Sequence, residues 1–148
     1  MGLPTRLQDE IFSAIPEHIL TIIEKHYPAD SLAAEVFLIH SHQVSRKAQQ
    51  IAEQTGLDPL PDVAFVFEAA WLHDIGMVYT HAPKIGCHGK AHYLEHGTIG
   101  RELLEKEGLP RHALVCERHT GVGLTVQDIR EQSLPLPERD MTPQSLEE

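Results

Sequence analysis

The sequence predicts an all-α fold, and three observations carry that prediction. Apolar residues recur at helical spacing in segment after segment, residues suited to starting and stopping helices stand at the segment edges, and one stretch is apolar nearly all round, as a helix buried on most sides must be. At 148 residues the chain is expected to form one compact domain, which hides roughly 70% of its unfolded surface without cross-links.

The elements follow in order. Thr5 caps a first helix carrying Leu7, Ile11 and Ile15, and Pro16 opens a second with Ile19, Leu20 and Ile23 that stops before Pro28. Asp30 is the expected N-cap of a long helix whose apolar face holds Ala33, Phe37, His40, Val44, Ala48, Ile51 and Ala52 until Gly56. Asp62 caps the segment VAFVFEAAWLHDIG, which ends in the adjacent pair His73 and Asp74. Burying an imidazole and a carboxylate together costs several kcal/mol unless something pairs with them, and a cation is an efficient partner.

Met77 to Lys90, with Pro83, Gly86 and Gly89, reads as an irregular loop. Tyr93 to Glu107 is expected to be helical, with Leu94, Ile99, Leu103 and Leu104 inward, and Pro110 opens a short helix ending near His119. Thr125 and Asp128 form a capping box, Leu134 to Asp140 is a loop, and Thr142, Pro143, Glu147 and Glu148 have the composition of a helix's first turn. That last reading predicts a C-terminal helix continuing beyond Glu148.

Composition excludes several function classes. A net charge of -10 disfavours a nucleic-acid polymer or an anionic membrane as main partner, and no run of eighteen apolar residues is present to span a bilayer. Cys87 and Cys116 are too few for a disulfide framework, and Met1 to Gln8 lacks a signal peptide's apolar stretch, so the cytoplasm is the expected location. Homodimerisation is left open.

Eleven histidines stand out, because imidazole is the commonest metal ligand at neutral pH. His40, His73 with Asp74, His96 and His119 each fall near a different predicted helix, which is how a helical bundle builds a metal site from inward ligands. Imidazole with carboxylate suits Fe, Mn, Ni, Co or Zn, and a bridging carboxylate can hold two ions. A rival reading takes Cys87, His88, His92 and His96 as a zinc site on one helical face. His18, His26, His81 and His112 have no supporting context and are assigned to the surface.

His40-Ser41-x-x-Val44 with Ala48 and Ile51-Ala52, then Ala70-x-Leu72-His73-Asp74-Ile75-Gly76, resembles the signature of the HD domain, the metal-dependent phosphohydrolase superfamily. His96-Gly97-x-x-Gly100-x-x-Leu103-Leu104 and Glu117-Arg118-His119 resemble its histidine-rich subgroup, which binds two metals. The resemblance covers about residues 40 to 128 and implies a compact HD-domain helical bundle. It further implies that His40 and His73 hold one divalent transition metal, Asp74 bridges as the catalytic residue that orients a metal-activated hydroxide, and His96 with His119 hold a second ion. The family's closing ligand is a further Asp on a C-terminal helix; Asp128 and Asp140 match it poorly, so that ligand is expected beyond Glu148.

The implied activity is hydrolysis of a small, nucleotide-like phosphate mono- or diester, with Lys84, His88, Lys90 and His92 as contacts to the substrate. Two other readings remain open at this stage: a di-iron oxygenase of the same fold, and a non-catalytic module that senses a nucleotide.

Overall fold

A computed structural model describes residues 5–121 and 123–148. Among these residues the chain is a bundle of α-helices: α1 (Thr5–Ala14), α2 (Glu17–His26), α3 (Leu32–Gln54), α4 (Val63–Leu72), α5 (His96–Lys106), α6 (Pro110–Arg118) and α7 (Val126–Glu131). Helices α3 and α4 pack together, α5 packs on α6, and a 3-10 turn over Ile75–Tyr79 wedges α5 against the end of α4. The core runs between these pairs, with Ile11, Ile19, Phe37, Trp71, Leu72, Ile75 and Leu104 sealed from solvent. No helix among the described residues is long and apolar enough to cross a membrane.

Capping explains where the helices begin. The Asp62 carboxylate accepts from Phe65 N at 3.0 Å, and the Thr125–Asp128 box closes as expected. The start of α3 corrects the sequence reading: Ser31, not Asp30, is the cap, its Oγ accepting from Ala34 N at 3.1 Å. Asp30 instead turns the chain with a φ of 60°, in the left-handed region that Asp tolerates better than most residues.

Other departures share a tertiary cause. The second half of α3 still buries Ser45 and Ala52, and Ile51, expected inward, lies off that face and is 55% exposed. Met77–Lys90 is not wholly irregular: β1 (His81–Ala82) and β2 (Cys87–His88) form a short antiparallel hairpin around a 3-10 turn at Pro83–Ile85. The expected helix from Tyr93 opens as a 3-10 turn, Tyr93–Glu95, held by a capping box in which His92 Nδ1 accepts from Leu94 N. Residues 142–148 are not helical; there the Glu148 carboxylate accepts from Gln144 N and pairs with Arg118, while Glu147 accepts from Asp62 N.

Gly76 sets the distance between the two halves of the bundle. A Cβ at this position would lie 2.2 Å from the His96 carbonyl oxygen and 2.6 Å from Gly100 N, so only glycine lets the turn after Asp74 sit directly on the first turn of α5.

Candidate metal centre

Three of the four candidate histidines sit where a backbone feature orients the ring, and His40 stands within α3. His73 follows the last residue of α4, His119 follows the last of α6, and His96 follows the 3-10 turn at Tyr93–Glu95. Carbonyls in a last helical turn can accept a side-chain donor, and each of these histidines uses the one three residues back, which at Tyr93 also accepts from His96 N. His73 Nδ1 lies 2.7 Å from Ala70 O, His96 Nδ1 2.6 Å from Tyr93 O, and His119 Nδ1 2.6 Å from Cys116 O. A carbonyl only accepts, so each Nδ1 carries the proton, and in the neutral ring each Nε2 presents a bare lone pair.

Those lone pairs converge. His40 and His73 Nε2 each lie 3.3 Å from Asp74 Oδ2 and 3.2 Å from one another. His96 Nε2 lies 3.3 Å and His119 Nε2 3.2 Å from Asp74 Oδ1, with 3.1 Å between the two nitrogens. Bare nitrogens this close to each other and to a carboxylate repel, and Asp74 Oδ1 is buried with no hydrogen-bond donor. Cations resolve both faults. Donors about 2.1 Å from a shared ion lie about 3.0 Å apart on an octahedral edge and about 3.4 Å on a tetrahedral one. The observed spacings fall in that range, so the triads His40–His73–Asp74 and Asp74–His96–His119 could each hold a metal ion. Orientation of the ring by an Nδ1–H bond to a backbone carbonyl is the usual support for a ligating imidazole.

The carboxylate is held from behind. Tyr27, stacked on Phe37 at 4.3 Å between ring centres, donates its hydroxyl to Asp74 O at 3.2 Å, and the Cys116 thiol lies 2.8 Å from His73 O. Burial pushes the pKa of both groups up, so both stay protonated and able to donate. Burial also raises the Asp74 carboxyl, but an imidazole of His119, His40, His73 or His96 that takes up a proton on Nε2 donates to it, which outweighs burial and holds the group ionised, well below the usual carboxylate range. Contact with Asp74 raises His40, while at His96 burial opposes Asp74 and the Tyr93 carbonyl, which prevail and raise it.

Access is one-sided. The His40 side chain is 49% exposed and that of Asp74 only 9%, so His40 forms the rim rather than part of the buried apolar face expected for it. Tyr93, 41% exposed, lies at the same rim with its ring 4.8 Å from that of His96.

The structure thus brings together all five residues of the expected metal set. It does not bring Asp128 or Asp140 to them: Asp128 is spent on the α7 capping box and Asp140 on Thr142 N at 2.9 Å. Lys84, His88, Lys90 and His92 are exposed along the segment between β1 and α5, with His92 engaged in its capping box. The rival zinc site fails, because Cys87 is sealed in the core, His88 lies on a strand and His96 faces Asp74. Two surface assignments also fail: His26 Nδ1 bonds Tyr79 Oη at 2.8 Å, and His112 packs against Phe65 beside Glu68. Sequence reasoning missed Tyr27, which lies far from the cluster in the chain, and gave Cys116 no role; nothing local signals either.

Comparison with known proteins agrees with this geometry. The family model of the HD domain matches residues 37–147, and the chain belongs to that family. The match is wider than the signature region, reaching into the C-terminal segment. An uncharacterized protein of Methanocaldococcus jannaschii is 34% identical over 122 residues, covering 80% of this chain and 63% of that protein. A tRNA (cytidine(56)-2'-O)-methyltransferase of Picrophilus torridus is 31% identical over 118 residues, covering 78% of this chain and 29% of that protein. The chain therefore spans less than two thirds of the length of these relatives. No solved structure matches it.

Proposed function

We propose that the chain is a metal-dependent phosphohydrolase acting on a small, nucleotide-like phosphate mono- or diester. The observation that carries this reading is Asp74, whose two oxygens each face a pair of imidazole nitrogens. His40 and His73 would hold one divalent ion, His96 and His119 a second, and Asp74 would bridge them, with Fe, Mn, Ni, Co and Zn all suited to the donor set. Ions so held supply a water that ionises near neutral pH and a positive field for the oxygens of an ester undergoing displacement.

The chain's own residues do the rest. Asp74, ionised and held by Tyr27 and Cys116 through the backbone, keeps both pairs of imidazoles in register. The buried side, formed by His73 and His96, excludes water, while the half-exposed His40 leaves a face through which substrate reaches the centre. Lys84 and Lys90, exposed and without ion-pair partners among the described residues, are positioned in the chain to meet an anionic group at the rim. Membership of the HD-domain family supports the hydrolytic class. The methyltransferase relative matches over a minor part of its own length, so methyl transfer is not carried over.

The test is a panel of phosphate mono- and diesters assayed with chain reconstituted separately with Mn, Fe, Co, Ni and Zn. Release of phosphate or alcohol that disappears in Asp74→Asn is the expected result. Silence across the panel, with oxygen uptake by the iron-loaded chain instead, would replace hydrolysis by oxygenase chemistry.

A further inference from the structure

The hairpin β1–β2 places two histidines, absent from the central cluster, side by side. His81 on β1 is directly opposite His88 on β2. Gly89 N donates to Thr80 O at 2.9 Å while His81 N donates to Ala91 O at 2.8 Å, so His81 and His88 are a non-hydrogen-bonded pair, the kind whose side chains stand closest. Alternation settles the face. Cys87 is sealed in the core with Ala82 opposite it, and therefore His81 and His88 both project to solvent, where both are exposed. Neither imidazole has a hydrogen-bond partner among the described residues.

The pair is held rigidly. Thr80, fully buried, anchors the start of β1 by donating its Oγ1 to Met77 O at 2.7 Å. Gly86 closes the turn with a φ of 79°, and a Cβ there would lie 2.7 Å from Ala33 N, so the turn is pressed against the first residues of α3. Two imidazoles carried on paired positions of a held backbone lose little freedom when they share one ion, which is the source of chelate affinity.

We infer that His81 and His88 form a second, solvent-exposed site for a borderline transition cation such as Cu2+, Ni2+ or Zn2+, with water completing the coordination. Two neutral imidazoles and no carboxylate favour these ions over Mg2+ or Ca2+. The nearby cations Lys84 and Lys90 are the opposing charges, and they weaken the site without removing its ligands. The site shares no ligand with the central cluster.

An immobilised Cu(II)–iminodiacetate surface reports on the hairpin pair, because a tethered chelate reaches exposed imidazoles but not the buried nitrogens of His73 and His96, and the variants compared change only the hairpin. The untagged full chain is expected to need severalfold more imidazole for elution than His81→Ala, His88→Ala or His88→Gln, with the two alanine variants equally weakened. Their melting temperatures and central metal content should stay at wild-type values, which distinguishes loss of the site from loss of the fold. Elution of the wild type together with the double variant would overturn the inference, and so would loss of retention in only one of the single alanine variants.

Discussion

Two carboxylates in this molecule are flanked by histidines, and they are different chemistry. Asp74 faces four imidazoles whose spacings are 3.2–3.3 Å, while Glu68 lies 3.2 Å from His18 Nε2 through one oxygen and 3.2 Å from His112 Nε2 through the other. Distance does not separate them; the far side of the ring does. At the Asp74 cluster three Nδ1 protons are committed to carbonyls at helix ends, which strips Nε2 of its proton. At Glu68 no backbone carbonyl claims Nδ1 among the described residues, so Nε2 is free to carry a proton and donate it. The same residue types therefore make a cluster that could hold cations in one place and ordinary hydrogen bonds in the other.

The sharpest way to break that contrast is to neutralise each carboxylate. Asp74→Asn should lower metal affinity by more than about a hundredfold, beyond the range seen for losses outside the ligand set, whereas Glu68→Gln should leave metal content unchanged by elemental mass spectrometry. Equal metal content in both variants would end the distinction. Gly76→Ala comes next: the added Cβ meets the His96 carbonyl at 2.2 Å, and overpacking of this kind costs about 3 kcal/mol, read as a lower melting temperature together with weakened metal binding. Unchanged metal affinity in a folded G76A chain would mean that the approach of α5 does not position His96.

A smaller effect is expected from Tyr27→Phe, which removes one hydrogen bond to Asp74 O worth about 1 kcal/mol and should reduce metal affinity a few-fold by titration. The smallest concerns pH. Burial holds His112 below its ordinary value of 6.5, so its neutral form is the one the fold favours. Its contribution to stability is complete above that value and is lost as pH falls through the lowered folded value. Melting curves in metal-free buffer should decline on acidification, and less steeply in His112→Gln; parallel curves would show that His112 does not set the slope.

Much of this was legible before any coordinates. Helix starts at Asp62 and Thr125 follow from local hydrogen bonding within a few residues, and the apolar approach to His73 and Asp74 marks a buried polar pair from composition alone. His40, His96 and His119 stood out by their places near different predicted helices, but their pairing around Asp74 was legible only through resemblance, since no local pattern ties residues so far apart. Where local reasoning failed, neighbours in space decided: Ile51 faces solvent because α3 turns Ser45 and Ala52 inward instead, His112 is covered because Phe65 and Glu68 come from α4, and Lys84, His88, Lys90 and His92 occupy a segment whose hairpin the sequence conceals behind its prolines and glycines.

By itself the sequence determined the helical class, the placement of most helix ends and the chemistry on offer, because periodicity and capping act over one or two turns of chain. Tertiary structure decided which histidines gather at Asp74. At His73, His96 and His119 a carbonyl three residues back orients the ring, His40 is brought in from the middle of α3, and the closeness of the elements is set by Gly76 against α5 and by Tyr27 and Cys116 behind Asp74.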